Sequence, residues 1–120
     1  MTFGAASTRW WQERGQHRKD ARTLEGALAW LQTRVGLKTP LARIDDNMLA
    51  RLVAARRGEM VPDTARTVSP ATVNRTVTEP LRAILSRARL WGQPVADVRW
   101  GAHKLKESAE IVREASADEE

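Results

Sequence analysis

The sequence predicts an all-α protein, a small bundle of four main helices. Its apolar residues recur at the three- and four-residue spacing of helices that have one buried side. Capping residues and glycines stand at the ends of these periodic stretches, where helices are expected to begin and end. Hydrophobic residues make up 42% of the 120 positions, which suits the core of one domain of this length.

The first two helices are predicted from their caps and their apolar spacing. Thr2 is placed to cap a first helix, in which one of the adjacent Trp10 and Trp11 packs inward and the other covers the edge of the core. A second helix is predicted over about residues 23–35, with one leucine-rich face. Gly26 lies inside this helix and predicts the close approach of another helix, because glycine otherwise weakens a helix interior.

The third helix is predicted to begin after Asp45, which has the position of an N-cap. Ile44 and Leu49 flank that cap with the spacing of a hydrophobic staple, and Gly58 marks the end of the helix. Residues 59–68 follow without periodicity and are predicted to form a flexible loop.

The fourth and longest helix is predicted to run from Pro70 to about Trp91, with Ser69 as its cap and Gly92 as its end. Pro80 lies inside it and is expected to bend it, the alternative being two shorter helices that meet at this proline. We expect the buried side to pack on Leu28, Leu31, Leu49 and Leu52, and to consist of Val73, Val77, Leu81, Ile84, Ala88 and Trp91. The opposite side is predicted to be polar and basic, with Thr72, Asn74, Arg75, Thr78, Arg82, Arg87 and Arg89.

Charge divides the chain into a basic body and an acidic end. Residues 1–106 hold 19 basic and nine acidic residues, a net charge of +10, whereas residues 107–120 hold six acids and one base. Such a body suggests a polyanion as partner, although solvated basic faces would have the same composition. Asn74 either reads adenine in a DNA groove or bonds locally to the helix end. The candidate residues for contact with double-stranded DNA are Lys19, Arg22, Lys38, Thr39, Arg66, Ser69, Thr72, Asn74, Arg75 and Arg82.

The sequence offers little for catalysis. It contains no cysteine and no tyrosine, and its two histidines are far apart, so neither thiol chemistry nor a zinc site is expected. It also lacks the glycine-rich motifs that hold phosphates. We therefore expect no catalytic residue, no metal and no cofactor.

No apolar run approaches the roughly 20 residues of a membrane span and no signal-peptide pattern occurs, so a cytoplasmic protein is expected.

Several phrases of the sequence, in order, resemble the N-terminal core-binding domain of tyrosine recombinases, the phage-integrase family. SPATVNR, LRAILSRA and the following WG resemble the last major helix of that domain, and LARIDDNMLARL resembles an earlier one. The matching positions are Thr72, Asn74, Arg75, Leu81, Arg82, Ala88, Trp91 and Gly92.

The resemblance implies a SAM-like orthogonal bundle that clamps one face of a core recombination site, while a catalytic domain closes over the other face. It implies other integrase protomers as partners. It also implies that residues 1–100 form the core-binding domain and that residues 101–120 are a linker and the start of an absent catalytic domain. Because the nucleophile of the family is a tyrosine, this chain is not expected to be an enzyme by itself.

Two other classes of protein share some of these features. A helix-turn-helix regulator is also small, helical and basic, but a turn of 3–4 residues is typical of it, against about 11 residues here from Gly58 to Val68. A helical protein-interaction module would explain the helices and tryptophans but not the basic body.

Residues 107–120 are predicted to be a flexible, separable acidic tail.

Overall fold

Four helices pack around one core in the computed structural model, which describes residues 1–107. The all-α prediction is confirmed, since only two isolated β-bridges accompany the helices of this part of the chain. Short 3₁₀ turns occupy Gly15–His17 and Leu41–Arg43. The main helices are α1 (Phe3–Glu13), α2 (Ala21–Val35), α3 (Asp46–Arg57) and α4 (residues 70–90), and α5 is the single turn Trp100–His103.

Three of the four main helices begin at the capping residues that the sequence predicts, whereas α2 begins at Ala21, two residues before its predicted start. Thr2, Asp45 and Ser69 each accept a hydrogen bond from the backbone N–H three residues later, at 3.2, 3.0 and 3.2 Å. After α4, Gly92 has a φ of 83°, the left-handed conformation that glycine adopts without strain. Local side-chain chemistry therefore determines these boundaries.

Pro80 is accommodated inside α4 by a π-turn. In Asn74–Thr78 the helix widens, and the N–H of Glu79 donates to the carbonyl of Asn74, five residues earlier. The backbone stays helical across the junction, with φ and ψ of −66° and −50° at Thr78. We attribute the widening to the proline ring, which would otherwise collide with the carbonyl four residues before it. The single-helix prediction is confirmed, and the alternative of two separate helices is wrong.

The buried side of α4 forms the centre of the core. The π-turn contacts α2 and α3, and the following part of α4 contacts α1 and α2. Trp10 is buried and Trp11 covers the edge of the core, as predicted. In the predicted stripe, Trp91 is partly buried against the core. The other members are fully buried in one cluster with Leu28, Leu31, Leu49 and Leu52: Val73, Val77, Leu81, Ile84 and Ala88.

The polar side of α4 is narrower than predicted. Asn74 and Thr78 were expected on it, but both are buried, and so is Thr76. The reason is the π-turn, which places more residues in one turn and encloses that turn between α2 and α3. Arg75 alone in this turn is exposed.

Two other local predictions need correction. Residues 59–68 contain no helix, as predicted, but they are not open, because an antiparallel bridge between Met60 and Thr67 closes them into a hairpin. Backbone hydrogen bonds across the hairpin account for this. At Gly26 a Cβ atom would meet nothing within 4 Å, so this glycine does not mark a close helix contact.

After α4 the chain returns over the bundle as a strap, residues 93–107. Val95, Val98, Trp100 and Leu105 of the strap pack against the core. The packed body therefore continues beyond residue 100, to Glu107. The chain is not helical over residues 104–107. The predicted acidic tail lies outside the described residues from position 108 on.

No helix of residues 1–107 is long and apolar enough to cross a membrane.

Candidate nucleic-acid interface

Basic side chains dominate the charged surface. Residues 1–107 contain 19 Lys and Arg against 10 Asp and Glu, a net charge of +9. Six of the 19 take part in ion pairs within this part of the chain. The other thirteen are exposed and have no ion-pair partner among residues 1–107: Arg14, Lys19, Arg22, Lys38, Arg43, Arg51, Arg57, Arg66, Arg75, Arg82, Arg99, Lys104 and Lys106.

The outer face of α4 carries an arginine row, which consists of Arg75, Arg82 and Arg89. These residues are exposed and follow each other at intervals of seven residues, with Glu79 between the first two. Arg82 and Arg89 lie in the regular part of α4, where seven residues are about two helical turns, so these two are about 10 Å apart along the axis. Arg75 lies in the preceding π-turn. Arg89 contacts Asp97 at 3.4 Å, but that carboxylate is 99% exposed and holds the arginine weakly.

A second group of arginines adjoins the C-terminal end of the row. Arg14 and Arg18, from the turn after α1, line an open groove of about 420 Å³ together with Arg87 of α4. Ser86 lines this groove and also the cleft beside Arg82, so the two groups meet at Ser86. Neither Arg14 nor Arg87 is among the residues that the sequence predicts to bind DNA, because only tertiary packing brings α1 to this part of α4.

Three predicted residues, Arg66, Ser69 and Thr72, meet at the start of α4. They line one open pocket of about 770 Å³ between the hairpin and the helix. The Ser69 hydroxyl accepts the N–H of Thr72 and donates to its Oγ1, at 3.2 and 3.0 Å. Ser69 is thus engaged as a helix cap, while the exposed Arg66 remains available to a ligand.

Lys38 and Thr39 lie in the loop between α2 and α3, which covers the start of α1. The first two N–H groups of α1 donate to the carbonyls of Thr39 and Leu37, at 2.8 and 2.9 Å. The Thr39 hydroxyl donates to the carbonyl of Val35 at 2.6 Å. Hydrogen bonds within the protein therefore satisfy the N–H groups at this helix start and the hydroxyl of Thr39. Of the two predicted residues, only the exposed Lys38 is free to contact a phosphate.

Lys19 and Arg22 are exposed around the start of α2. They line none of the grooves named above, and the neighbouring Arg18 is paired with Asp20 at 3.2 Å. The structure does not bring these two residues into a common groove with the row on α4.

Asn74 does not face solvent, so the prediction that it reads adenine is wrong. Its side chain is fully buried, and its amide pairs with both backbone groups of Leu105. Nδ2 donates to the Leu105 carbonyl and Oδ1 accepts the Leu105 N–H, each at 2.8 Å. Nδ2 also lies 3.1 Å from the Glu107 carboxylate. The alternative of a local bond is wrong too, because the partner lies 31 residues further along the chain.

A second polar contact holds the strap at Asp46. Its Oδ1 accepts the backbone N–H of Arg99 at 2.9 Å and lies 2.8 Å from Nε2 of His103. The hydrogen bond with His103, followed by that with Arg99, lowers the pKa of the Asp46 carboxyl. No pattern in the sequence indicates this tertiary role of Asp46.

Two further carboxylates connect distant elements. A hydrogen bond from Arg9 is the largest cause of the lowered pKa of Glu13. Burial raises the pKa of Glu59, but hydrogen bonds from Trp30 and Arg56 and nearby arginine charges outweigh it and the net pKa is lowered. These acids are committed to protein partners and do not neutralise the arginine row. Residues 1–107 contain no group of three or more acidic, His or Cys side chains that could hold a metal.

Comparison of the chain with protein-family models, with curated proteins and with solved structures gives no match. The candidate interface is therefore defined by its residues: the arginine row of α4 and the adjoining group at the end of α1.

Proposed function

We propose that the protein binds double-stranded DNA through the arginine row of α4. The observation that carries this proposal is the row itself, in which Arg75 and Arg82 are exposed and have no acid partner among residues 1–107. A guanidinium group binds a phosphate through two parallel N–H groups, so a row of arginines suits a DNA backbone. The net charge of +9 over residues 1–107 adds a long-range attraction.

We propose further that this chain is the core-binding domain of a phage-type integrase, a site-specific tyrosine recombinase. The support is the resemblance of SPATVNR, LRAILSRA and WG to the last major helix of that domain, together with the four-helix bundle. In this proposal the bundle has the orthogonal SAM-like arrangement and clamps one face of a core recombination site. A catalytic domain, which supplies the tyrosine, and further protomers complete the DNA complex.

Among the alternatives, a helix-turn-helix regulator is disfavoured by the connection before α4. Twelve residues, 58–69, separate α3 from α4 and include the hairpin, whereas the motif has a turn of 3–4 residues.

In a DNA-binding protein of the proposed kind, phosphate contacts position the domain and few contacts read bases.

Salt-dependent titration of matched variants tests the proposal. We expect wild-type protein to bind a short fluorescent duplex with a dissociation constant of roughly 10⁻⁴–10⁻⁶ M, the range of non-specific binding. The double variant Arg75→Ala/Arg82→Ala should bind more weakly. Its plot of log affinity against log salt should also be shallower by about 2, because each lost phosphate contact removes about 0.9 from the slope.

The matched control is Arg51→Ala/Arg57→Ala, which removes the same charge from exposed positions on α3. A smaller effect of this pair supports binding by α4. The proposed interface is refuted if both pairs weaken binding equally, and DNA binding itself is refuted if wild-type protein shows none at about 50 µM in low salt. Thermal melting of each variant verifies that it is folded.

A further inference from the structure

We propose that the cleft between α4 and the strap binds one unstacked nucleotide of a DNA strand. This inference extends the proposed DNA binding, because the same arginines serve both. The cleft has a volume of about 320 Å³, within the range of small-ligand sites, which is roughly 300–1,000 Å³.

The two walls of the cleft differ in chemistry. Arg82, Ser86 and Arg89 of α4 form a cationic, hydrogen-bonding wall. Val95, Val98 and Trp100 of the strap form an apolar wall that ends in an indole ring. A nucleotide has the same division, since its base is flat and largely apolar on its faces while its phosphate is anionic.

Trp100 is the tryptophan that remains available for stacking next to arginines. Trp30 and Trp91 have arginines over their rings, and their indole N–H groups donate to Glu59 and Glu13. Trp10 is buried, and Trp11 lines a groove that contains an acidic side chain. Trp100 is partly exposed and, within residues 1–107, has neither a cation over its ring nor a hydrogen bond on its indole.

The charges of the cleft permit a phosphate to enter. Arg82 has no acid partner among the described residues, and Arg89 is held only by Asp97 at 3.4 Å. Because the Asp97 side chain is 99% exposed, it can move into solvent when a phosphate takes its place. Asp97 also lies at the cleft and opposes a second negative charge there, so we expect its removal to strengthen binding.

The apolar wall is positioned before any ligand arrives. Asp46 holds the strap on both sides of Trp100, through the backbone of Arg99 and the ring of His103. A preformed wall lowers the entropic cost of binding a base. In a paired, stacked duplex the base faces are covered, so a tail, a bulge or an opened step must supply the nucleotide.

The test compares three DNAs that share one short duplex: a blunt form, a form with a single-stranded thymidine tail, and a form with an abasic tail of equal length. The abasic tail retains the phosphates and lacks the bases. We expect wild-type protein to prefer the thymidine tail over the abasic tail about tenfold. Trp100→Ala should remove this preference, with a loss of about tenfold in affinity for the thymidine tail and little change for the blunt duplex.

Three further variants make the result specific. Trp11→Ala, the matched control in the acid-containing groove, should retain the preference. Trp100→Phe preserves an aromatic ring and should retain most of it, which separates stacking from damage to the strap. Asp97→Asn should tighten binding of both tails.

The inference is overturned if wild-type protein binds the thymidine and abasic tails equally, or if Trp100→Phe loses as much as Trp100→Ala in a folded protein. Binding of the blunt duplex reports on the proposed function separately. A protein that binds the blunt duplex without preference for thymidine refutes the cleft alone. A protein that binds only the thymidine tail refutes the duplex function and supports the cleft.

Discussion

At the scale of single residues, a buried side-chain amide takes the place of a backbone partner. Asn74 offers Leu105 one donor and one acceptor, the pair that a neighbouring strand would provide. Both backbone groups of the partly buried Leu105 are thereby satisfied without a β-sheet, which matters because a polar group that loses water needs another partner. Asn74 is the first residue of the π-turn, in which Thr76 and Thr78 are also buried.

Replacing Asn74 by alanine should therefore destabilise the protein. Two backbone groups of Leu105 would lose their partner, at a cost of about 1–3 kcal/mol in the free energy of unfolding. Urea denaturation measures this change, and amide exchange at Leu105 should become faster. Asn47→Ala, the same change at an exposed position of α3, should alter stability by no more than about 0.5 kcal/mol. Equal stability of the two variants would contradict the role assigned to Asn74.

At the scale of elements, α4 combines a core stripe with the proposed DNA-binding row. The apolar spacing continues in phase on both sides of Pro80, so the two parts of the helix share one buried side. The π-turn has a cost of its own, because it encloses the Thr78 hydroxyl without a hydrogen-bond partner among the described residues. Burial of the stripe outweighs this cost and makes α4 the central element.

The centrality of α4 predicts the effect of shortening its core side chains. Leu81 is fully buried, so Leu81→Ala should lower the free energy of unfolding by about 2–5 kcal/mol. Leu90 lies on the same helix but is 76% exposed, and Leu90→Ala should change stability by no more than about 0.5 kcal/mol. Chemical denaturation measures both variants. A Leu81→Ala protein as stable as wild type would show that α4 is not the core helix.

At the scale of the whole molecule, three carboxylates join parts of the chain that are far apart in sequence. Glu13 of α1 accepts hydrogen bonds from Arg87 and from Trp91 after α4. Asp46 of α3 holds the strap, and Glu59 of the hairpin contacts Trp30 of α2. The pKa of each of the three carboxyls is lowered on folding.

These lowered pKa values predict acid sensitivity. The stabilisation is complete above the ordinary carboxyl pKa, about 4, and is lost as the pH falls through the lower pKa of the folded state. The melting temperature of wild type should therefore stay level down to about pH 5 and drop below about pH 4. The variant Glu13→Gln/Asp46→Asn/Glu59→Gln should melt lower near neutral pH, and this difference should narrow in acid.

A matched variant distinguishes the loss of these contacts from the loss of three negative charges as such. Glu25→Gln/Asp63→Asn/Glu79→Gln removes the same charge from exposed acids that form no ion pair within residues 1–107. It should melt close to wild type near neutral pH. A difference between the first variant and wild type that stays constant down to about pH 3 would show that the three carboxylates do not control acid stability.

The sequence by itself determined the helices, their caps and the buried stripe of α4. These features depend on residues within a few positions of each other: Thr2, Asp45 and Ser69 bond to N–H groups three residues later. It also determined the basic character of residues 1–106, because net charge is a property of composition.

Only the tertiary structure decided which polar residues are available to a ligand. Asn74 and Arg75 are neighbours in the sequence, yet the first is buried against the strap and the second is exposed. Likewise, the packing of α1 against α4 places Arg14 and Arg87 in one groove. The physical reason is that capping and periodicity act along the chain, whereas the burial of an amide or the clustering of arginines depends on segments tens of residues apart.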